Sequence, residues 1–171
     1  ITENNTYETK TIIIATGGKH RTLGIKGEQK YFSNGINFCV ACDGAFYKNK
    51  VVAVVGGGNN AIVNAITLAN ICKKVYIVQD LDHLTAEATL VNRIKDHENV
   101  EVIYNSAITD LRGDNELTAI TIKAKDKEKE LKVDGLFVSI GLIPQSELAE
   151  NLLSINEFNY IKSDNCTTEI S

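Results

Sequence analysis

No apolar run in this chain of 171 residues approaches the roughly 20 residues that a membrane helix requires, and its first residues are polar instead of basic then apolar. A spanning segment and a leading signal are therefore not expected. Basic residues are not in excess either: 18 against 22 acidic ones give a net charge of −4, so no positive field is available for nucleic acid or an anionic membrane. Four cysteines, Cys39, Cys42, Cys72 and Cys166, are too few and too unevenly spaced for a secreted disulfide scaffold. The expectation is a cytoplasmic protein with no membrane or nucleic-acid partner. With 43% hydrophobic and 23% charged residues it reads as an ordinary globular chain, long enough for one good core or one domain plus a connecting segment.

What is present is ordered along the chain. Thr11 to Ala15 reads as a short buried strand ending at Thr16-Gly17-Gly18, and Lys19 to Phe38 reads as a glycine-bearing linker with no sustained period. Val51 to Val55 is a strand, Asn60 to Ile71 a helix with Ala61, Ile62, Ala65, Ile66, Leu68 and Ala69 facing inward, and Val75 to Val78 a second strand. A helix over 86–97 and a strand over 100–104 complete a second crossover. The pattern then alternates apolar with polar over 108–111, 117–124 and 130–133, which predicts an antiparallel meander whose charged tip is 123–130. A strand at 135–140 returns to the sheet, Pro144 fits a strand-to-helix turn, and a short helix is expected over 146–153. The expected fold is α/β, a Rossmann-like doubly wound parallel sheet with an inserted antiparallel β-meander.

Two motifs carry chemistry. Gly56, Gly58 and Ala61 match Gly-x-Gly-x-x-Gly/Ala between a strand and a helix. The first glycine permits the turn, the second admits a pyrophosphate to the backbone, and the small third residue lets helix and strand pack. Gly56, Gly57, Gly58, Asn59, Asn60 and Ala61 are thus candidate cofactor-binding residues. At the end of the second strand Gln79 and Asp80 occupy the place that contacts the adenosine ribose, and no arginine is near. Asp80 and Asp82 would repel a 2′-phosphate, whereas Gln79 or Asp80 could hydrogen-bond a free 2′-hydroxyl, an argument against NADPH. His83 reads as a loop residue.

The second motif is Cys39-Val40-Ala41-Cys42-Asp43-Gly44. It could be half of a zinc site, lacking its second pair, or a buried inert pair; the redox dithiol is favoured, with Asp43 as a general acid/base or a helix cap. Cys72 and Cys166 read as structural or incidental.

The order Ala15-Thr16-Gly17-Gly18, Cys39 to Gly44, Gly56 to Ala61 and Gly135-Leu136-Phe137-Val138-Ser139-Ile140-Gly141-Leu142-Ile143-Pro144 resembles the low-molecular-weight thioredoxin reductases over almost the whole chain. The resemblance implies a pyridine-nucleotide domain cut from a longer flavoprotein that carries FAD, forms a homodimer and reduces thioredoxin. It implies residues 1–38 as a connector with the remnant of an FAD-domain strand, 39–144 as the dinucleotide-binding domain with its meander at 107–133, and 145–171 as a return connector. Gly141 falls among the cofactor-binding positions. By the same resemblance Cys42 is the thiol nearer the flavin, Cys39 the one that exchanges with thioredoxin, and Asp43 the proton donor and acceptor. Family members that use NADPH carry His-Arg-Arg-x-x-x-Arg after the second strand; Gln79 to Thr85 retain none of it. The implied donor is NADH, or ferredoxin as in a subgroup that has lost nucleotide binding. The alternative function is an NAD(H)-binding or redox-sensing module without reductase turnover.

Overall fold

The computed structural model describes residues 4–125 and 127–163. By contact density the chain divides into two units, one of residues 1–19 with 142–171 and one of residues 20–141.

The second unit is built on a parallel sheet of order β2-β9-β3-β4-β5, with β2 at Ile36–Asn37, β3 at Val51–Val55, β4 at Lys74–Val78, β5 at Val100–Ile103 and β9 at Gly135–Val138. The short helix α1, Val40–Asp43, leaves β2; α2, Asn59–Ala69, joins β3 to β4; and α3, Ala88–Lys95, joins β4 to β5. Strand residues of period two divide between the two faces. Val52, Val54, Val75 and Ile77 pack against Ile62, Ala65, Ile66 and Leu68 of α2, whereas Ala53, Leu136 and Val138 face the opposite side. Ile62 and Leu68 are fully buried, each contributing about 1.5–3 kcal/mol of hydrophobic stabilisation.

The opposite side is covered by an antiparallel meander, β6 at Ala107–Arg112, β7 at Ala119–Ala124 and β8 at Lys127–Lys132. Ile108, Leu111, Ile120, Ile122 and Leu131 supply its inner face. Helices cover one face of the sheet and the meander the other; a parallel sheet with an inserted antiparallel meander is the α/β fold expected. The charged run is not confined to a tip, however. Lys127 to Glu130 belong to β8 and are exposed, because an edge strand with one solvated face tolerates charge and is protected by it from pairing with other chains.

The stretch 19–38 is also more than a linker. β2 pairs in parallel with β9, Ile36 opposite Leu136 and Asn37 opposite Phe137, and Tyr31 and Ile36 join the core. A 3₁₀ turn at Glu28–Tyr31 fixes the approach. Buried Glu28 accepts the Leu23 N–H at 3.0 Å, and the Tyr31 hydroxyl donates to the Gly113 carbonyl at 2.7 Å. Gly35, at φ +120°, lies so close to Leu117 that a side chain there would collide with it.

β1, Gly18–His20, pairs with β10, Leu142–Pro144; in the first unit the Thr16 hydroxyl donates to the Gln145 carbonyl. Residues 11–15 do not form the expected buried strand. Ile13 is 93% exposed and Ile12 70%, because no strand among the described residues offers this segment a ladder. Pro144 lies in β10 instead of a strand-to-helix turn, and the helix expected over 146–153 shortens to a 3₁₀ turn at Glu147–Ala149. Cys166 lies outside the described residues.

Candidate active site

Both motifs sit at the carboxyl edge of the parallel sheet, where helices leave the strands and ligands of open α/β sheets bind. After β3 the chain turns at Gly56, whose φ of +119° lies in the region that favours glycine. A Cβ there would also come within 2.6 Å of the Ser139 carbonyl oxygen. The Gly56 N–H donates to the Val78 carbonyl at 3.0 Å, joining the turn to β4. Gly58 then caps α2 in an extended conformation, and the Ile62 N–H donates to its carbonyl at 3.1 Å. Ala61 is fully buried. Its methyl lies where only a small residue fits between α2 and the turn, 3.5 Å from a Cβ built on Gly56.

The turn opens onto a cleft of about 650 Å³ at the point where β9 and β4 flank β3 on opposite sides. Gly56, Gly57, Gly58, Asn60, Gln79, Asp80 and Gly141 all line it; Asn59 and Ala61 do not. Asn59 is engaged elsewhere. Its Nδ2 donates to Glu87 Oε1 at 3.1 Å, and its Oδ1 accepts the Glu87 N–H at 2.7 Å. This reciprocal pair ties the start of α2 to the start of α3. The sequence alone gives no signal for it, since 28 residues separate the partners.

Gln79 and Asp80 part company. Gln79 is 4% exposed, its Nε2 donates to the His83 carbonyl at 3.2 Å, and its amide group fills the space beside Gly57, where a Cβ would lie 2.5 Å from Gln79 Cδ. The N–H groups of Thr85 and Ala86 donate to the Gly57 carbonyl at 2.9 and 3.1 Å. Gln79 therefore braces the loop after β4 against the glycine turn, and Asp80 is left exposed on the cleft wall. In that loop Asp82 Oδ1 lies 2.6 Å from His83 Nδ1. The hydrogen bond from His83, together with its charge, holds the Asp82 carboxyl below the usual carboxylate range.

Cys39 and Cys42 form a disulfide, with Cα atoms 5.3 Å apart. Cys39 caps α1, its sulfur accepting the Cys42 N–H at 3.2 Å. Cys39 is half-buried, Cys42 exposed and Asp43 half-buried. Asp43 makes no side-chain cap hydrogen bond to the following 3₁₀ turn, so its carboxyl is not committed to a capping role. Cys39 and Asp43 line a second cleft of about 380 Å³ with Phe32, Phe38, Phe46 and Tyr47. These aromatic walls were not legible as a site in the sequence; the exposed Phe46, two residues past Gly44, was the available clue.

The segment carrying the disulfide is anchored below by Tyr47. Its ring meets Phe137 edge to face at 5.3 Å, its hydroxyl accepts from Asn37 Nδ2 at 2.8 Å, and it occupies the space over Gly135. Its carbonyl accepts the Cys72 thiol at 3.2 Å. Cys72 is buried, and burial pushes its thiol up to about 11, the environment of an inert cysteine.

The sequence and the fold have counterparts among known proteins. A "34.2 kDa protein in rubredoxin operon" of Clostridium pasteurianum is 41% identical over 165 residues, covering 95% of this chain and 54% of that protein. The thioredoxin reductase of Helicobacter pylori is 41% identical over 142 residues, 81% of this chain and 46% of its own length. The chain thus spans about half the length of these curated relatives. The crystal structure of Lactococcus lactis thioredoxin reductase in its FR conformation superposes with a TM-score of 0.87 at 33% identity, over 96% of this chain and 55% of that one. Residues 2–170 match the pyridine nucleotide-disulphide oxidoreductase family, and the chain belongs to it.

Proposed function

We propose that this chain is the nucleotide-binding and disulfide-bearing part of a flavin-dependent thioredoxin reductase that takes its electrons from NADH. The observation that carries the reading is the Cys39–Cys42 disulfide standing at the same sheet edge as the glycine turn. In this reading the dinucleotide phosphates lie on the turn at Gly56 to Gly58 and Asn60, at the positive end of α2. Asp80 accepts from the adenosine ribose, and Gly141 borders the nicotinamide half. Asp80 disfavours a 2′-phosphate, and among the described residues no lysine or arginine lines the cleft to compensate it.

Flavin, when bound, supplies the electron pair that opens the disulfide. Among the described residues no second glycine turn leads a strand into a helix, so no residue here is assigned to hold flavin. The chain's own residues perform the exchange. Once Cys39 and Cys42 are reduced, the Cys39 thiolate attacks one sulfur of the thioredoxin disulfide and forms a mixed disulfide. The Cys42 thiolate then attacks Cys39, releases thioredoxin as a dithiol and restores the Cys39–Cys42 bond. Asp43 takes the proton from a reacting thiol and returns one to the departing thiolate. The aromatic cleft beside Cys39 supports its assignment as the thiol that meets a protein substrate, with exposed Phe46 as a contact. Two chains of the reductase form a homodimer in this reading.

The test adds NADH, NADPH or reduced ferredoxin to the flavin-loaded enzyme and follows flavin bleaching and thioredoxin reduction. NADH bleaches the flavin and sustains turnover. Rapid bleaching by micromolar NADPH sinks the role given to Asp80, bleaching by ferredoxin alone reassigns the donor, and failure to reduce thioredoxin with any donor sinks the reductase. With the donor established, Asp43→Asn lowers the rate of thioredoxin reduction by about 10²-fold or more while flavin reduction persists.

A further inference from the structure

Among the described residues Asp80 is the only charged one lining the dinucleotide cleft. A dinucleotide carries two negative charges on its diphosphate, and a helix amino terminus offsets only about half an elementary charge. The cleft wall as described leaves that anion short of positive charge.

Arg21 lies beside Gly141, which lines the cleft. The Arg21 N–H donates to the Gly141 carbonyl at 3.0 Å, and its Cδ and Nε lie 3.9 Å from the point where a side chain on Gly141 would begin. Gly141 adopts φ +95° and has no side chain, which leaves the arginine room over the carboxyl end of β9. Next to it His20 stacks on Phe38 with ring centroids 5.0 Å apart, so the segment that carries Arg21 is held in place. The guanidinium itself is exposed and makes no ion pair or hydrogen bond among the described residues. Ser139, against which the glycine turn packs, is two residues before Gly141. At about 3.3 Å per strand residue the turn and Gly141 are roughly 7 Å apart along β9, within reach of an arginine side chain.

We infer that Arg21 is the diphosphate-binding cation of this cleft, holding the nicotinamide-side phosphate of a dinucleotide whose adenosine lies by Asp80. The inference rests on the proposed use of NADH. Arg21 makes charge-assisted hydrogen bonds to phosphate oxygens from the β9 side while the backbone of the glycine turn meets them from the β3 side. A positive group at this end and an acid at the other orient the dinucleotide and leave a 2′-phosphate without a partner.

The test titrates the flavin-loaded enzyme with NADH and, separately, with phosphate-free adenosine, at low and high salt, for wild type, Arg21→Gln and Arg21→Lys. Arg21→Gln raises the Kd for NADH on the order of tenfold, the loss expected for one charge-assisted hydrogen bond. It also flattens the salt dependence and leaves adenosine binding unchanged, while Arg21→Lys keeps most of the affinity. An unchanged NADH affinity in Arg21→Gln overturns the inference, and so does an equal loss of NADH and adenosine, which marks a packing role. If wild-type enzyme binds no NADH, the proposed donor fails and the inference with it; a normal wild type beside an unaffected Arg21→Gln removes the inference alone.

Discussion

Gln79 illustrates how a residue can occupy the expected position and serve another purpose. Counting along the chain puts it at the ribose-contacting end of β4, yet its amide turns inward, bonds the His83 carbonyl and fills the space beside Gly57. Spacing locates a residue along a strand; it does not say whether a neighbouring loop claims the side chain. Gly57→Ala sets a methyl against Gln79, which costs about 1–3 kcal/mol by overpacking, and Gln79→Ala in the same chain recovers most of that loss. Thermal melting of the two single variants and the double variant measures the coupling. A further expectation concerns Cys72. Its thiol has an ordinary value of 9.0, and burial raises it to about 11, with the charge of Asp134 adding in the same direction. Because the folded value is the higher one, this contribution to stability is complete below pH 9 and is lost as pH rises through 11. The loss reaches on the order of 2 kcal/mol. Burial also raises the Tyr47 phenol, against the hydrogen bond from Asn37, so the two groups weaken the fold in overlapping alkaline ranges. Denaturant unfolding at pH 8 and near pH 11 checks this: Cys72→Ala shows a shallower alkaline decline than wild type.

Among the elements, those buried on both faces were legible. Val51-Val52-Ala53-Val54-Val55 leaves no ambiguity about a central strand, and α2 declared itself by the spacing of Ala61, Ile62, Ala65, Ile66, Leu68 and Ala69. The glycine turn and the Cys-x-x-Cys pair could be read because each compresses its chemistry into six consecutive residues. What escaped is what depends on distant partners. β2 is two residues long and is a strand only because β9 lies beside it. Arg21 meets Gly141 at a sequence separation of 120, and the Asn59–Glu87 pair spans two helices. Conversely, Thr11 to Ala15 has the composition of a strand but no ladder partner among the described residues. β8 was misjudged for the opposite reason, since its charges suggested a turn although an edge strand accommodates them on its open side.

For the whole molecule, the second unit contains both hydrophobic clusters, the parallel sheet, the meander and both clefts. A chain limited to residues 20–141 is therefore expected to unfold in one cooperative transition. Circular dichroism on heating checks this; a broad, non-cooperative melt would show that the core depends on residues outside it. The register of β2 against β9 bears on traffic through such a unit. Ile36 opposite Leu136 and Asn37 opposite Phe137 bring Cys39 level with Ser139, one strand away from the wall of the dinucleotide cleft and two from the glycine turn. At strand spacings of about 4.8 Å the disulfide and the turn are separated by roughly 10 Å, no more than the width of a single helix with its side chains. In the proposed function a protein substrate meets Cys39 and a dinucleotide meets the turn, and it is the pairing of β2 with β9 that makes those two sites neighbours.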